Sequence, residues 1–509
     1  MARSINVMGL VGTGVMGSGI AQVAAQAGVE VRLYDAREGA AVTARDNLAA
    51  ALGKLVAKGK VNESAADAAI RLLQPVAAIE ELAECDMVVE AIVESLDAKR
   101  SLLTQLEGIV DVECILATNT SSLSVSAIAT ACDYPQRVAG FHFFNPVPLM
   151  KIVEIVDGIA TDPAVSDALL DLASRMGHLG VRAKDTPGFI VNHAGRAYIT
   201  EALKILGEGV ALQGDVDRIL REGAGFRMGP LELLDLTALD VSHPVMESIY
   251  TQFYHDPRYT PSSLTRRMLM AGHIGRKAGQ GFYRYQNGQM IDPPQPQPVP
   301  CVEQMPTVWV GTEYAEDQKK LVELLNALGA QVEEGDHPSE QALCLIAPYG
   351  EDATTASERY GVDAARTVCL DLLIDLSRHR TLMMTPATLP EMRNAAHGLL
   401  ARDGVGVTVI RDSVGFVAQR VLAMVVNLAC DIAQQRIASP DDIDQAVRLG
   451  LGYPQGPLTW GDSLNQQRLL IILERMMKLT GDPRYRPSPW LRRRARLGLS
   501  LCLDEPSTV

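Results

Sequence analysis

The stretch Ile5-Asn6-Val7-Met8-Gly9-Leu10-Val11-Gly12-Thr13-Gly14-Val15-Met16-Gly17 decides the fold. Its apolar opening reads as a buried strand, three glycines follow as Gly12-x-Gly14-x-x-Gly17, and an Ala-rich helical pattern then runs to about Gly28. Glycines in this order permit a tight turn and let backbone N–H groups approach a pyrophosphate at a helix N-terminus. A second strand, Val29 to Tyr34, ends in Asp35. The Asp35 carboxylate stands where the ribose 2′-hydroxyl of NAD would donate and where a 2′-phosphate would be repelled. The glycine spacing alone is weak evidence; the strand before it, the helix after it and the acid at the next strand end together predict a dinucleotide-binding domain.

Further strand ends follow at Met87-Val88-Val89-Glu90-Ala91 and at Ile115-Leu116-Ala117, the latter leading into Asn119-Thr120-Ser121-Ser122. Carboxyl ends of parallel strands form the ligand crevice of such a sheet, which makes Ser121 a candidate site residue. For Ser122 the simpler expectation is that it caps the helix starting near Val125. A strand from Arg137 to Phe141 then leads into His142-Phe143-Phe144-Asn145-Pro146, and twelve residues after His142 an apolar strand carries Glu154. A carboxylate that fixes the tautomer of an imidazole and balances its charge makes a good general base near neutral pH.

The chain has 509 residues, 47% of them apolar and 21% charged, which excludes disordered and collagen-like classes and gives several domains. Lys and Arg total 47 against 61 Asp and Glu, a net charge of −14 that argues against nucleic acid or an anionic membrane as the main partner. Eight cysteines without a C-x-x-C pattern suit a reducing compartment and give no zinc framework, so no metal site is expected. The strand pattern beginning at Ile5 leaves no room for a secretion signal, and the location expected is cytoplasmic. The most apolar helical stretch, Val421 to Ala433, is interrupted by Asn427 and Asp431 and reads as a core helix too short to span a membrane.

Six prolines between Pro293 and Pro306 mark an extended, solvated linker. Before it the pattern turns wholly helical after Pro187. Beyond it, strand-like Thr307 to Gly311 and helical Glu316 to Leu328 open a further α/β segment running to about Arg411. From Asp412 the helical part repeats. Asp185, Gly188 and Phe189 recur 227 positions later as Asp412, Gly415 and Phe416, and Gly229, Pro230, Leu231 and Asp235 as Gly456, Pro457, Leu458 and Asp462. Gln419 replaces Asn192 in the second copy, and the α/β segment before it has no glycine motif and no counterpart of the His142 motif, so one active site per chain is expected.

The segments Gly12 to Gly17, Asn119 to Leu123, His142 to Pro146, Met150 to Ile155 and Asp185 to Asn192 resemble the (S)-3-hydroxyacyl-CoA dehydrogenase family across roughly residues 5 to 285. The resemblance implies an α/β fold: a Rossmann-type NAD-binding domain (1–185), an all-α domain (186–285), a Pro-rich linker (286–306), a degenerate α/β segment (307–411) and a second all-α copy (412–509). It implies NAD-dependent oxidation of the 3-hydroxyl of an acyl-CoA. His142 would be the base, Glu154 its partner, and Ser121 and Asn192 would hold the reacting oxygen; Glu94, Lys99 and Lys277 would join Gly12, Gly14, Gly17 and Asp35 around NAD. The longer architecture is similar to that of bacterial members associated with phenylacetate degradation, implying 3-hydroxyadipyl-CoA, with a fatty acyl-CoA of β-oxidation as the alternative.

Lys54, Lys58 and Lys60 form a basic cluster suited to CoA phosphates, with a solvated helix end as the competing reading. The run Arg492-Arg493-Arg494-Ala495-Arg496 is expected to be solvated or at an interface. The two helical copies are expected to pack within one chain, which leaves homo-oligomerisation open. The rival readings are a β-hydroxyacid dehydrogenase acting on a small non-CoA acid, which more often uses a Lys as acid or base, and a catalytically silent NAD-binding scaffold.

Overall fold

A computed structural model describes residues 4–302 and 304–505. Residues 1–3, 303 and 506–509, which belong to the expected first domain, linker and second helical copy, lie outside the described residues. The chain packs as two units that do not follow its linear order: residues 1–193 with 435–451, and residues 194–434 with 452–509.

The first unit opens with β1 (Val7–Val11), α1 (Val15–Gln26), β2 (Glu30–Tyr34), α2 (Ala40–Ala57), α3 (Glu63–Leu72) and β3 (Leu73–Pro75). It continues with β4 (Met87–Glu90), α4 (Leu96–Glu107), β5 (Ile115–Thr118), α5 (Val125–Ala129), β6 (Val138–Phe143), β7 (Ile152–Asp157), α6 (Pro163–Arg175), β8 (Leu179–Lys184) and α7 (Val191–Ala194). The eight strands form one sheet in the order β3-β2-β1-β4-β5-β6-β7-β8, parallel except at β6/β7. Strand order reverses beside β1, which places the glycine loop at the switch point where such sheets bind ligands. The central strands are buried on both faces, as in β4 and β5, because helices cover each side.

The second unit begins with α8 (Arg196–Gly207), α9 (Gln213–Arg218), α10 (Pro230–Thr237), α11 (Leu239–Gln252) and α12 (Ser263–Met270), then a two-stranded hairpin of β9 (Arg284–Gln286) and β10 (Gln289–Ile291). The linker expected from 286 therefore starts inside a hairpin. Its Pro-rich remainder has no regular element, as expected, but it is packed where a solvated course was expected: the Pro294 carbonyl accepts from Arg218 at 2.9 Å, and the Gln297 side chain bonds both the N–H and the C=O of Val409 at 3.0 Å. Side chains thus supply the partners that prolines cannot.

A five-stranded sheet follows, β11 (Val308–Thr312), β12 (Leu343–Ala347), β13 (Thr367–Leu370), β14 (His379–Met384) and β15 (Gly406–Ile410), with α13 (Ala315–Ala327), α14 (Ala353–Tyr360) and α15 (Pro390–Leu400) between strands. Its order is sequential, and only β13/β14 is antiparallel. This is the arrangement of β4 to β8 without the β1–β3 half, and β14 lies 227 positions after β7.

The chain ends with α16 (Val417–Gln434), α17 (Pro440–Gly450), α18 (Pro457–Ser463), α19 (Gln466–Thr480) and α20 (Pro489–Leu497). Of these, α17 belongs to the first unit, where it packs on β7 and β8 and where the Lys184 N–H donates to the Ile437 carbonyl at 2.8 Å. In the second unit the matching bond runs from the Arg411 N–H to the Val210 carbonyl at 3.0 Å, 227 residues away at each end.

Helix α16 has 18 residues and is long and apolar enough to cross a membrane by composition; its length corrects the shorter reading, yet 94% of it is buried inside the protein, where it packs on α8. Between these helices Glu201, fully buried, accepts from Arg420 at 2.8 Å and from Tyr485 at 2.9 Å. Burial alone would raise its carboxyl, but the Arg420 and Arg484 guanidiniums hold it below the ordinary value. Part of the basic run on α20 is buried: Arg494 lies over the Trp490 ring and donates to the Leu503 carbonyl.

Candidate active site

The glycine loop is built as its spacing predicts. Gly12 has φ +96°, and a Cβ there would meet the Ala91 carbonyl oxygen at 2.7 Å. A Cβ on Gly17 would lie 1.9 Å from the Gly12 oxygen, so this glycine allows α1 to press against the turn. Gly14, at the helix N-terminus, has nothing within 4 Å of its Cβ position: space is left open beside backbone N–H groups that can take an anion. Asp35, directly after β2, accepts from the Thr13 N–H and hydroxyl at 2.8 Å each and from Arg37 at 3.0 Å. The Arg37 guanidinium, with the Thr13 donors, holds the Asp35 carboxyl well below the usual carboxylate range despite partial burial. These residues fit the NAD expected of them.

Beside the loop a layer of buried charge underlies the β4 and β5 ends. Lys99, 1% exposed, donates to both oxygens of Glu90 at 2.7 and 2.8 Å and stands 3.3 Å from Glu94. Glu94 in turn accepts from Thr120 Oγ1 at 2.7 Å, the Ser121 N–H at 2.9 Å, and the Ser122 N–H and hydroxyl at 3.1 and 3.0 Å. Burial would raise the Glu94 carboxyl; the Thr120 bond, the Lys99 charge and the loop donors bring it below its ordinary value. Lys99 thus supports the loop from below. Ser122 does not cap the following helix; Ser124 does, accepting from the Ala127 N–H, because α5 begins only at Val125. Ser121 stays half-buried on the loop.

His142 lies inside β6, one residue before its end, instead of just after the strand. In the antiparallel β6/β7 pair it directly opposes Glu154, and His142 Nδ1 lies 2.6 Å from Glu154 Oε2. Cross-strand register explains the twelve-residue spacing: two strand halves and the turn between them bring the pair face to face. The other carboxylate oxygen, Oε1, accepts the N–H groups of Ile190 and Val191 at 2.9 and 2.8 Å. Glu154 therefore joins the imidazole to the first turn of α7, which carries half-buried Asn192. Phe144 and Phe189 flank the ring, with centroids at 4.5 and 5.7 Å. With Nδ1–H directed to the carboxylate, the lone pair is on Nε2.

The remaining expected residues are four lysines. Lys54 is in the last turn of α2, with Lys58 and Lys60 just beyond it, all exposed. Lys277 is in the second unit, half-exposed and paired with Asp240. Sequence reasoning missed Arg37 and the Glu90–Lys99 pair; the only signal was Glu90 at a strand end, and its partner emerges nine residues on from the next helix.

The second sheet carries a counterpart of the pair that its sequence hides. The Asp371 N–H donates to the Thr381 carbonyl across β13/β14, so strand register puts Asp371 where His142 stands and Thr381 where Glu154 stands. Gln419, at the Asn192 position, donates to Asp371 Oδ1 and the Pro348 carbonyl at 3.0 Å each and accepts from the Gly350 N–H at 2.9 Å. Asp371, Thr381 and Gln419 are all fully buried.

Residues 7–186 match the 3-hydroxyacyl-CoA dehydrogenase NAD binding domain, and residues 188–285 and 415–500 each match the C-terminal domain of the same family. The chain belongs to the 3-hydroxyacyl-CoA dehydrogenase family. It is 37% identical over 500 residues to 3-hydroxyadipyl-CoA dehydrogenase of Escherichia coli (strain K12), covering 98% of this chain and 99% of that one. To 3-hydroxybutyryl-CoA dehydrogenase of Mycobacterium tuberculosis it is 38% identical over 287 residues, 56% of this chain and all of that one. The crystal structure of 3-hydroxybutyryl-CoA dehydrogenase from Escherichia coli K12 superimposes with a TM-score of 0.84 at 36% identity, covering 97% and 99% of the two chains. The protein is an NAD-dependent enzyme of this family that oxidises (S)-3-hydroxyacyl-CoA to 3-oxoacyl-CoA.

Proposed function

We propose that His142, Glu154, Ser121 and Asn192 are the catalytic residues and that the preferred substrate is 3-hydroxyadipyl-CoA. The observation that carries the site is the Glu154 carboxylate, which grips His142 with one oxygen and the turn before Asn192 with the other. His142 Nε2 takes the proton of the C3 hydroxyl, and the Glu154 charge balances the imidazolium that forms. As the O–H and C3–H bonds break, C3 and its oxygen become a carbonyl; Ser121 and Asn192 donate to that oxygen and hold C3 in place. Bound NAD supplies the acceptor for the hydride that leaves C3. Gly12, Gly14, Gly17 and Asp35 hold the dinucleotide, Glu94 fixes the loop beside it, and Lys99 acts through Glu94; Lys277 is kept as a cofactor-binding residue on the family resemblance alone. Lys54, Lys58 and Lys60 offer unpaired charge to the CoA phosphates.

The adipyl assignment rests on the full-length likeness to the Escherichia coli relative of that name. Comparison of kcat/KM for 3-hydroxybutyryl-, 3-hydroxyhexanoyl- and 3-hydroxyadipyl-CoA tests it: the dicarboxylate is expected to lead by at least about tenfold, and a lead for either monocarboxylate overturns it.

The domain division at 185, 285, 306 and 411 is proposed as the order in which the chain was duplicated, supported by the family matches at 7–186, 188–285 and 415–500. The pairing of α8 with α16 is proposed to take the place of a subunit contact, and a cytoplasmic location is supported by the eight cysteines, which form no disulfide among the described residues.

A further inference from the structure

Because β14 and β15 repeat β7 and β8, every side chain at the end of one strand pair has a counterpart 227 positions away in the other. In the first unit this corner is filled by charge that satisfies itself: Asp157, at the end of β7, accepts from Ser166 Oγ and from Arg182 Nε at 2.7 Å. In the second unit the same three positions are Met384, Arg393 and Val409. The acid has become a thioether, the strand arginine a valine, and a guanidinium now comes from α15 instead. Lys184 has become Arg411.

The consequence is a cavity of about 390 Å³ built wholly from the second unit. Leu206, Val210, Leu212, Met384 and Val409 give it an apolar lining, and exposed Arg393 and Arg411 stand at its rim. Gly209, with φ +69°, leaves room for the Arg411 guanidinium, which lies 3.7 Å from where its Cβ would be. Asp215 also lines the cavity, but its carboxylate is taken by Arg218 at 2.6 Å and Gln297 at 3.1 Å. Among the described residues neither the Arg393 nor the Arg411 guanidinium has a hydrogen-bond or ion-pair partner.

Two planar guanidiniums without an acid call for a carboxylate or phosphate head, and an apolar chamber calls for carbon. The volume lies near the lower end of small-molecule pockets. We propose that this cavity binds a small amphiphilic anion, a short apolar chain ending in a carboxylate or a phosphate.

Calorimetric titration of the full chain with octanoate, octyl phosphate and inorganic phosphate tests the proposal. One saturable site per chain is expected for octanoate or octyl phosphate, the tighter of the two identifying the head group. R393A/R411A is expected to weaken it at least about tenfold with turnover of 3-hydroxyacyl-CoA retained. M384D, which restores the acid of the first unit, should weaken it as well, and it guards against a folding defect in the double variant. No saturable binding of either amphiphile, binding unchanged in both variants, or inorganic phosphate binding as tightly as octyl phosphate would overturn it.

Discussion

At the scale of single residues, the reading turns on which groups can move a proton. His142→Gln removes the Nε2 base but keeps the size of the side chain, so kcat is expected to fall about 100-fold or more while NAD affinity is retained; turnover near the wild-type rate would refute the assignment. Asp371 is the ionisable group that stands at the His142 position of the second sheet. Burial pushes its carboxyl up to about 6, against the N–H of Leu373 and the amide of Gln419, and its Oδ2 has no hydrogen-bond partner. A carboxyl raised on folding contributes stability that is complete below the unfolded value and is lost as pH rises through the folded one. Asp371→Asn has no proton to lose, so urea unfolding at about pH 4 and about pH 8 should show the variant gaining on the wild type by ~2 kcal/mol at the higher pH; parallel pH profiles would contradict this. The His142–Glu154 pair was legible because both partners lie on neighbouring strands close in sequence. Asp371 was not, since its equivalence to His142 rests on strand register and on no shared residue type.

At the scale of elements, the glycine loop separates folding from binding within six residues. Gly17→Ala drives a methyl into the Gly12 carbonyl, and an overpacked core position typically costs ~1–3 kcal/mol. Gly14→Ala meets no protein atom. The first variant is expected to melt earlier in thermal unfolding; the second should keep the wild-type Tm yet bind NAD at least about tenfold more weakly, and equal NAD affinity would show that the open space beside Gly14 is not used. Most strands and helices read from the sequence were bounded to within a residue or two because period and punctuation are local; α16 was not, starting four residues before the expected Val421. The hairpin after Tyr283 and the close packing of the Pro-rich segment were not, because Gln297 and Arg218 find their partners far away in sequence.

At the scale of the whole molecule, duplication explains the length. The second sheet repeats β4 to β8 but lacks the three strands beside which the glycine loop is built, and Asp371 and Thr381 stand where His142 and Glu154 stand in the first. Equilibrium titration should therefore find one NAD per chain, and two would require a site elsewhere. The repeat was visible from sequence through recurring Gly, Pro and Asp residues; the exchange of α17 into the first unit was not, because a helix does not reveal which sheet it will cover. That exchange has a temporal side. Lys184 leaves the ribosome about 250 residues ahead of Ile437, its partner across the edge of β8, a delay of roughly 10–50 s at ordinary elongation rates. During that interval the nascent N-terminal sheet has the face of β7 and β8 that α17 covers still open, which makes synthesis of the second copy the step that completes the first unit.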